Sequence, residues 1–389
     1  MSRIGTLLSE TTFDIVIVGG GPVGLALALA LRDTGLSMLL LDARPTEVSD
    51  RRSLALSFGS RALLERLGAW QRIEAATPIE SIHVSQRGGF GRTLLTAREQ
   101  GIEALGYVCG YADLHAALSE CVARCEGVRV CRPAQARSVG DAGALKAIAL
   151  EQDGLVESVY ARLVVIADGG ALANTLAHIS HRDYHQCAVV ATVSTDTAHG
   201  NRAYERFTAQ GPVALLPSGD DFALVWTTRP ARAQQLKAMQ PDQFLCALQD
   251  TFGTRAGRFT KVAACAIYPL ALRIAGKSRQ HAVVLLGNAA QVLHPVAGQG
   301  LNLGLRDVTA LVERLTHLDD PTRLADAADK FERTRALDRY STAFITDLLV
   351  TIFSNDVTPL RALRGGGLAL LDMLAPLKRA FADRMMFGA

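Results

Sequence analysis

The sequence is short of the features that would direct it to nucleic acid, to a metal or across a membrane. Lys and Arg number 41 against 38 Asp and Glu, a net charge of +3 over 389 residues. No basic tract or aromatic-interleaved basic patch stands out, which excludes a nucleic-acid footprint. Seven cysteines, Cys109, Cys121, Cys125, Cys131, Cys187, Cys246 and Cys265, are odd in number and scattered. Cys121 and Cys125 share a helical spacing, but no neighbouring Cys/His pair completes a zinc set, so no metal site is expected. They read as free thiols, pointing to a reducing cytoplasm. Met1 to Thr12 has no apolar core of a secretory signal. The apolar run from Phe13 to Leu31 is cut by Asp14 and by Gly19-Gly20-Gly21-Pro22, so it reads as a strand and a helix and not as a membrane span. Internal repeats and low-complexity segments are missing as well.

Apolar residues are plentiful, at 49% of the chain, enough for a large core in two domains or one divided domain. Phe13 to Val18 is a β-branched run followed at once by Gly19-Gly20-Gly21-Pro22-Val23-Gly24, then a small-residue helix to about Thr34, and a strand, Ser37 to Leu41, ending in Asp42. Strand, G-x-G-x-x-G, helix, strand and acid in that order form a dinucleotide-binding unit. Gly19 and Gly21 serve a tight turn and close approach to a pyrophosphate at the start of the helix where Pro22 stands. Gly24 serves helix–strand packing, and Asp42 a ribose with free hydroxyls, hence FAD or NAD. Arg51 and Arg52 follow, either as a solvated pair or as partners of phosphate or flavin. A second buried strand ends in Asp168-Gly169; parallel to the first, it brings Asp168 to the same sheet edge, unless Asp168 is only a turn residue.

From Tyr184 to Thr228 the period changes to two, and Ala188 to Ser194, Arg202 to Thr208, Pro212 to Leu216 and Phe222 to Thr227 read as antiparallel strands of a substrate domain. The buried-strand pattern returns at Ala282 to Leu286. There follows the stretch on which the chain is organised, Gly287-Asn288-Ala289-Ala290-Gln291-Val292-Leu293-His294-Pro295, then Gly298-Gln299-Gly300-Leu301-Asn302 at the head of a helix to about Leu315. Glycines before a helix start expose backbone N–H groups to an anionic or electron-rich group. Helices then run from Arg323 to Val350 and from about Leu368 to Phe387. The last sets Leu370, Leu371, Leu374, Leu377 and Phe381 beside Lys378, Arg379 and Arg384, which suits either packing on the domain or an anionic membrane surface.

In sequence order, Gly19-x-Gly21-x-x-Gly24, Asp168-Gly169, and Gly287-Asn288 leading to Pro295 and Gly298 resemble the class A flavin-dependent aromatic hydroxylases of the para-hydroxybenzoate hydroxylase type, over nearly the whole chain. The long stretch from Gly287 to Asp307 is most similar to the ubiquinone-biosynthesis hydroxylases, specifically the branch that hydroxylates 2-polyprenyl-6-methoxyphenol. Supporting segments are Ser53 to Ser57, Gly211 to Pro217 and Leu224 to Trp226. The resemblance implies an α/β fold: a Rossmann-like FAD-binding domain with an inserted antiparallel β-sheet substrate domain and C-terminal helices. The boundaries expected are 1–76, 109–180 and 276–320 for the FAD-binding parts, 77–108 and 181–275 for the substrate domain, and 321–389 for the helices.

It further implies that FAD meets Gly19, Gly21, Pro22, Gly24, Asp42, Arg52, Asp168, Asn288, Gly298, Gly300, Leu301 and Asn302. Asn288 stands where most of the wider class carry Asp, supplying hydrogen bonds without charge. Ala171 to Thr175 departs from the usual Ser and Arg after Asp-Gly. Pro295, Gly298, Gln299 and His294 are the residues set nearest the chemistry. NAD(P)H, NADPH in preference, would reduce the flavin, and O2 would supply one oxygen to a polyprenylated phenol by way of a flavin C4a-hydroperoxide. A membrane surface (the inner face of the cytoplasmic membrane), other ubiquinone-synthesis proteins and a second copy of the chain are the partners the resemblance allows. Its rivals are a hydroxylase of a small soluble phenol and a flavin-bound subunit without activity. A flavin halogenase is disfavoured, because only Trp70 and Trp226 are present and the Trp-x-Trp signature is absent.

Overall fold

The computed structural model describes residues 11–44, 50, 52–89, 91–294, 298–318 and 320–353, and within 365–383 residues 365–367, 370, 372–374, 376, 378–380 and 382–383. Thr12–Val18 runs parallel to Met38–Leu41 on one side and to Leu155–Ile166 on the other, with Val18 opposite Leu41 and Ile166. Val128–Cys131 extends the sheet beyond Met38–Leu41. Val283–Leu285 pairs parallel with the end of Leu155–Ile166, whose beginning pairs with Leu145–Gln152. Alternate residues of these strands feed two different cores. Ile15, Ile17, Met38, Leu40, Leu163 and Val165 enter one, whereas Val16, Val18, Leu39, Leu41, Val164 and Ile166 enter the other. Cover on both faces is why these strands read as unbroken apolar runs and not as alternating ones.

The first core is closed by the helices Pro22–Ala30, Phe58–Arg66, Tyr111–Ala123, Gln299–Leu315 and the start of Leu324–Phe353. Asp307 ties the last two together. It is fully buried, takes a hydrogen bond from Gln291 Nε2 at 3.0 Å and an ion pair from Arg335 Nε at 2.8 Å, with Arg339 Nε at 3.8 Å. Arg339 in turn donates to Leu285 O and pairs with Glu332.

Two long strands, Ala177–Thr195 and Phe259–Ser278, leave this domain as an antiparallel ribbon and become the spine of a second sheet of eight strands. Helices Pro230–Ala238 and Pro241–Phe252 cover one face over a core containing Trp226, Phe244, Phe252 and Phe259. The substrate-domain sheet is antiparallel as expected but for one pair: Arg202–Thr208 runs antiparallel to Gly211–Ser218 and parallel to Ser81–Gln86, a strand from the segment 77–108. The sheet is mixed because that segment leaves the nucleotide half early and lies down beside a strand it does not adjoin in sequence. A small three-stranded sheet, Ser53–Ser57, Gly106–Gly110 and Ala76–Ile79, bridges the halves.

The tail departs from its amphipathic expectation at Lys378. That side chain is buried and pairs with Glu99 at 3.0 Å, while Ala382 packs against Leu95, Ala97 and Leu105. Leu370, Met373 and Leu374 are exposed, as are Tyr340, Phe344 and Leu348 of the preceding helix. Leu371, Leu377, Phe381 and Arg384 lie outside the described residues. Among the described residues no helix is long and apolar enough to cross a membrane.

Candidate active site

The glycines of the first loop do different jobs. Gly19 has φ +117°, and a Cβ there would stand 2.4 Å from Ala167 O; one on Gly24 would stand 2.0 Å from Gly19 O. These two permit the strand, the turn and the helix to touch. Gly21 is different. Its φ of −72° suits any residue, and a Cβ would find nothing nearer than 4.0 Å, the atoms there being Arg44 Nη2 and Tyr111 OH. Gly300 likewise would meet nothing within 4 Å. Both line the same cavity. A side chain at either is excluded by nothing in the protein itself, which fits a group lying against the backbone at two helix starts.

Asp42 closes the glycine-loop end of the cavity. It is buried, with ion pairs to Arg44 at 3.2 Å and Arg132 at 2.7 Å. Arg44 also donates to Tyr111 OH at 3.2 Å and lies 3.3 Å from His115 Nε2, which donates to Gly20 O at 3.0 Å. Burial, the largest cause, pushes the His115 imidazole below its ordinary range, so it is a neutral donor. Arg44, Tyr111, His115 and Arg132 were not singled out in the sequence. They are scattered along the chain, His115 alone lying 95 residues from Gly20, and no local pattern links them.

Asp168 lines the cavity, and its carboxylate accepts the Gly170 and Leu172 N–H groups at 2.8 Å each. It holds the turn as well as facing the cavity. Asn288 is exposed to the cavity beside Gly287 and Leu286. Arg52 forms a close ion pair with Asp50 and lies between two rings, 5.5 Å from the centre of Tyr111 and 5.4 Å from that of Tyr268. The pair with Asp50 and the stacked rings hold its planar guanidinium on the cavity wall between the two sheets.

Gly298 caps the helix Gln299–Leu315 with a left-handed φ of +62°. Its carbonyl accepts from Asn302 Nδ2 at 2.8 Å, which also donates to Ala55 O at 2.9 Å. Asn302 Oδ1 accepts Ser57 N–H at 2.8 Å and Ser60 Oγ–H at 2.7 Å. Asn302 is thus a clamp between the loop and the Ser53–Ser57 strand, with its side chain spent on protein. Gly298, Gly300 and Leu301 face the cavity; Gln299, at the helix start, is buried and is not among the residues lining it. His294 is fully buried off that wall, with its ring 5.3 Å from Tyr184 in a T-shaped contact, and burial pushes its imidazole down to about 4. It is neutral at ordinary pH. Pro295 lies outside the described residues.

The cavity, of about 1200 Å³, continues from these residues onto the open face of the eight-stranded sheet, walled there by Ile82, Val84, Phe207, Leu216 and Val225. One end is therefore a charged, glycine-floored cradle and the other an apolar chamber, with Arg52, Tyr268 and Gly298 at the junction.

A family model described as an FAD-binding domain matches residues 12–338. The chain belongs to the FAD-dependent aromatic hydroxylases. It is 34% identical over 97% of its length, and 90% of the relative's, to the ubiquinone hydroxylase UbiL of Rhodospirillum rubrum. It is 31% identical over 94% of its length, and 96% of the relative's, to the 3-demethoxyubiquinol 3-hydroxylase of Escherichia coli. Among solved structures, the p-nitrophenol 4-monooxygenase PnpA of Pseudomonas putida superposes with a TM-score of 0.77 at 18% identity, over 96% of this chain and 97% of that one. This aromatic hydroxylase accordingly binds FAD, and the two open glycines and the acid at the strand end suit that cofactor.

Proposed function

We propose that the protein hydroxylates the ring of a polyprenylated phenol in ubiquinone biosynthesis, with 2-polyprenyl-6-methoxyphenol as substrate and 2-polyprenyl-6-methoxy-1,4-benzoquinol as product. The observation that carries this reading is the single cavity that joins the glycine cradle to an apolar sheet face. A small soluble phenol would not call for a chamber walled by Ile82, Val84, Phe207, Leu216 and Val225, whose burial against a prenyl chain is favourable at roughly 25 cal/mol per Å².

In this reading the Gly19, Gly21, Pro22 and Gly24 loop receives the pyrophosphate at the helix start, and Asp42 receives the ribose. Asp168 and Asn288 border the cofactor's middle, and Arg52, Gly298, Gly300 and Leu301 border the ring system. FAD, reduced by NAD(P)H, supplies the activation of O2. The protein's part is to bind the phenol in one orientation, to keep water from the junction with apolar walls, and to govern the phenol's proton. Exposed Phe344, Leu348, Met373 and Leu374 support peripheral contact with the membrane in which such a substrate dissolves.

The test is deletion of the gene in its host and identification by mass spectrometry of the quinone precursor that accumulates, with add-back of wild type or Gly298→Val. Accumulation of 2-polyprenyl-6-methoxyphenol relieved only by the wild type is expected. A different prenylated phenol would move the ring position, and an unchanged quinone pool would refute the reading.

A further inference from the structure

Among the described residues, the apolar chamber is lined by one acid, Glu205. On Arg202–Thr208, strand alternation sends Tyr204 and Arg206 to the helix-covered side, where Tyr204 meets Phe222 and Phe252 and Arg206 reaches Ser85. Ala203, Glu205 and Phe207 are sent to the cavity. Glu205 lies opposite Val84 on one side and Ala214 on the other. The row continues through Val225 to Val190 on one side and from Val84 to Thr93 on the other, so both immediate cross-strand neighbours of Glu205 are apolar and the Thr93 hydroxyl is the nearest polar group along the row. Glu205 Oε1 is buried with no hydrogen-bond partner among the described residues. The other titratable side chains on the cavity wall, Asp42, Arg44, Arg52, Tyr111 and Asp168, belong to the nucleotide end and the junction; Tyr204 and Tyr268 share the sheet.

A carboxylate without a partner in such a place is costly. Leu or Val would fill the position and complete the apolar wall, so packing does not account for an acid here. Burial, with no charged neighbour contributing, raises its carboxyl to about 7. An acceptor poised near neutrality and aimed into the substrate chamber has the properties of a group that meets a weakly acidic hydroxyl.

We propose that Glu205 recognises the ring hydroxyl of the substrate, accepting its hydrogen bond and then its proton. The O–H bond of the phenol breaks, its electron pair stays on the phenol oxygen, and the proton forms an O–H bond to the Glu205 carboxylate. Phenol plus carboxylate becomes phenolate plus carboxylic acid, so the chamber's net charge is unchanged and no other reactant is consumed. The phenolate is the more electron-rich ring, as attack on an electrophilic oxygen requires, and the proton returns when product leaves. This inference rests on the reading of the chamber as a site for a phenol with an apolar tail.

The test is binding of ortho-nonylphenol and of its methyl ether to the FAD-loaded protein, read calorimetrically and by the flavin absorption. A hydrogen bond to a charged acceptor predicts that the wild type prefers the phenol by about tenfold to a hundredfold. Glu205→Leu should hold both ligands with equal affinity and keep its FAD. Glu205→Gln, of the same shape, should retain part of the preference but fail to ionise a bound para-nitrophenol bearing the same tail, whose phenolate colour the wild type should develop. Equal binding of phenol and ether by the wild type, or an unchanged preference in Glu205→Leu, refutes the role of Glu205 and leaves the apolar-phenol reading standing. If neither ligand binds to protein that holds FAD, that reading itself fails and the inference falls with it.

Discussion

Gly21→Ala and Gly24→Ala differ by one methyl at two positions three residues apart, and the site geometry gives them opposite consequences. At Gly24 the new Cβ would stand 2.0 Å from Gly19 O, where real Cβ contacts do not fall below 3.0 Å. The backbone must open by more than about 1 Å, and overpacking of this kind costs about 1–3 kcal/mol or more. At Gly21 the nearest atoms are 4.0 Å away. Ala there removes unfolded-state freedom worth about 0.4–1 kcal/mol and loses a helix-cap preference of similar size, so the two offset. Stripped of flavin, Gly21→Ala should melt with the wild type and Gly24→Ala several degrees lower. With FAD added the order changes. The wild type gains about 4 kcal/mol when FAD is present at a thousand times its dissociation constant, whereas a methyl on Gly21 would fill the space proposed for the cofactor, so Gly21→Ala should gain little. The assay is thermal unfolding with and without FAD, together with the flavin-to-protein ratio after desalting. A Gly21→Ala protein that is fully yellow and shows the wild-type FAD shift would refute the assignment of this loop to the cofactor.

Glu205→Gln should change the pH dependence of stability. A carboxyl raised from 4.5 to about 7 on folding contributes stability that is fully present below its unfolded value and is lost as pH rises through 7, up to about 3 kcal/mol in all. Urea unfolding of flavin-loaded, substrate-free protein should therefore show the variant gaining about 2 kcal/mol on the wild type between about pH 5.5 and pH 8, and a constant difference would contradict the burial of this acid. Asp307→Ala removes the carboxylate shared by the buried Arg335 and Arg339, which keep Asp338 and Glu332 respectively, and should cost about 1–3 kcal/mol in the same measurement; a change below about 0.5 kcal/mol, the usual range for surface positions, would show that Asp307 does not anchor the helix. Phe344→Asp with Met373→Asp should weaken co-sedimentation with anionic lipid vesicles, and unchanged sedimentation would remove these residues from any membrane contact.

The nucleotide half was legible because its signals are local. Strand, glycine loop, helix and Asp42 fall within about thirty residues, a length typical of one βαβ unit, and unbroken apolar runs are the mark of strands buried on both faces. What the pattern could not supply was the set of partners that chain folding brings from far away. His115 on Gly20, Arg44 on Tyr111 and Ser60 on Asn302 join positions separated by 95, 67 and 242 residues. Sequence therefore does not show that the Asn302 amide is engaged by Ala55, Ser57 and Ser60, nor, between packing on the domain and a membrane surface, that Glu99 takes the charge of Lys378. Glu205 is a different omission. Period-two reading of Arg202 to Thr208 already puts it between Ala203 and Phe207 on one face, so an acid on an apolar face was visible. What gives it meaning is which face lines the cavity, and that follows only from the covering of the opposite face by Phe244, Leu248 and Phe252. An alternation identifies two faces; the rest of the fold decides which one the substrate meets.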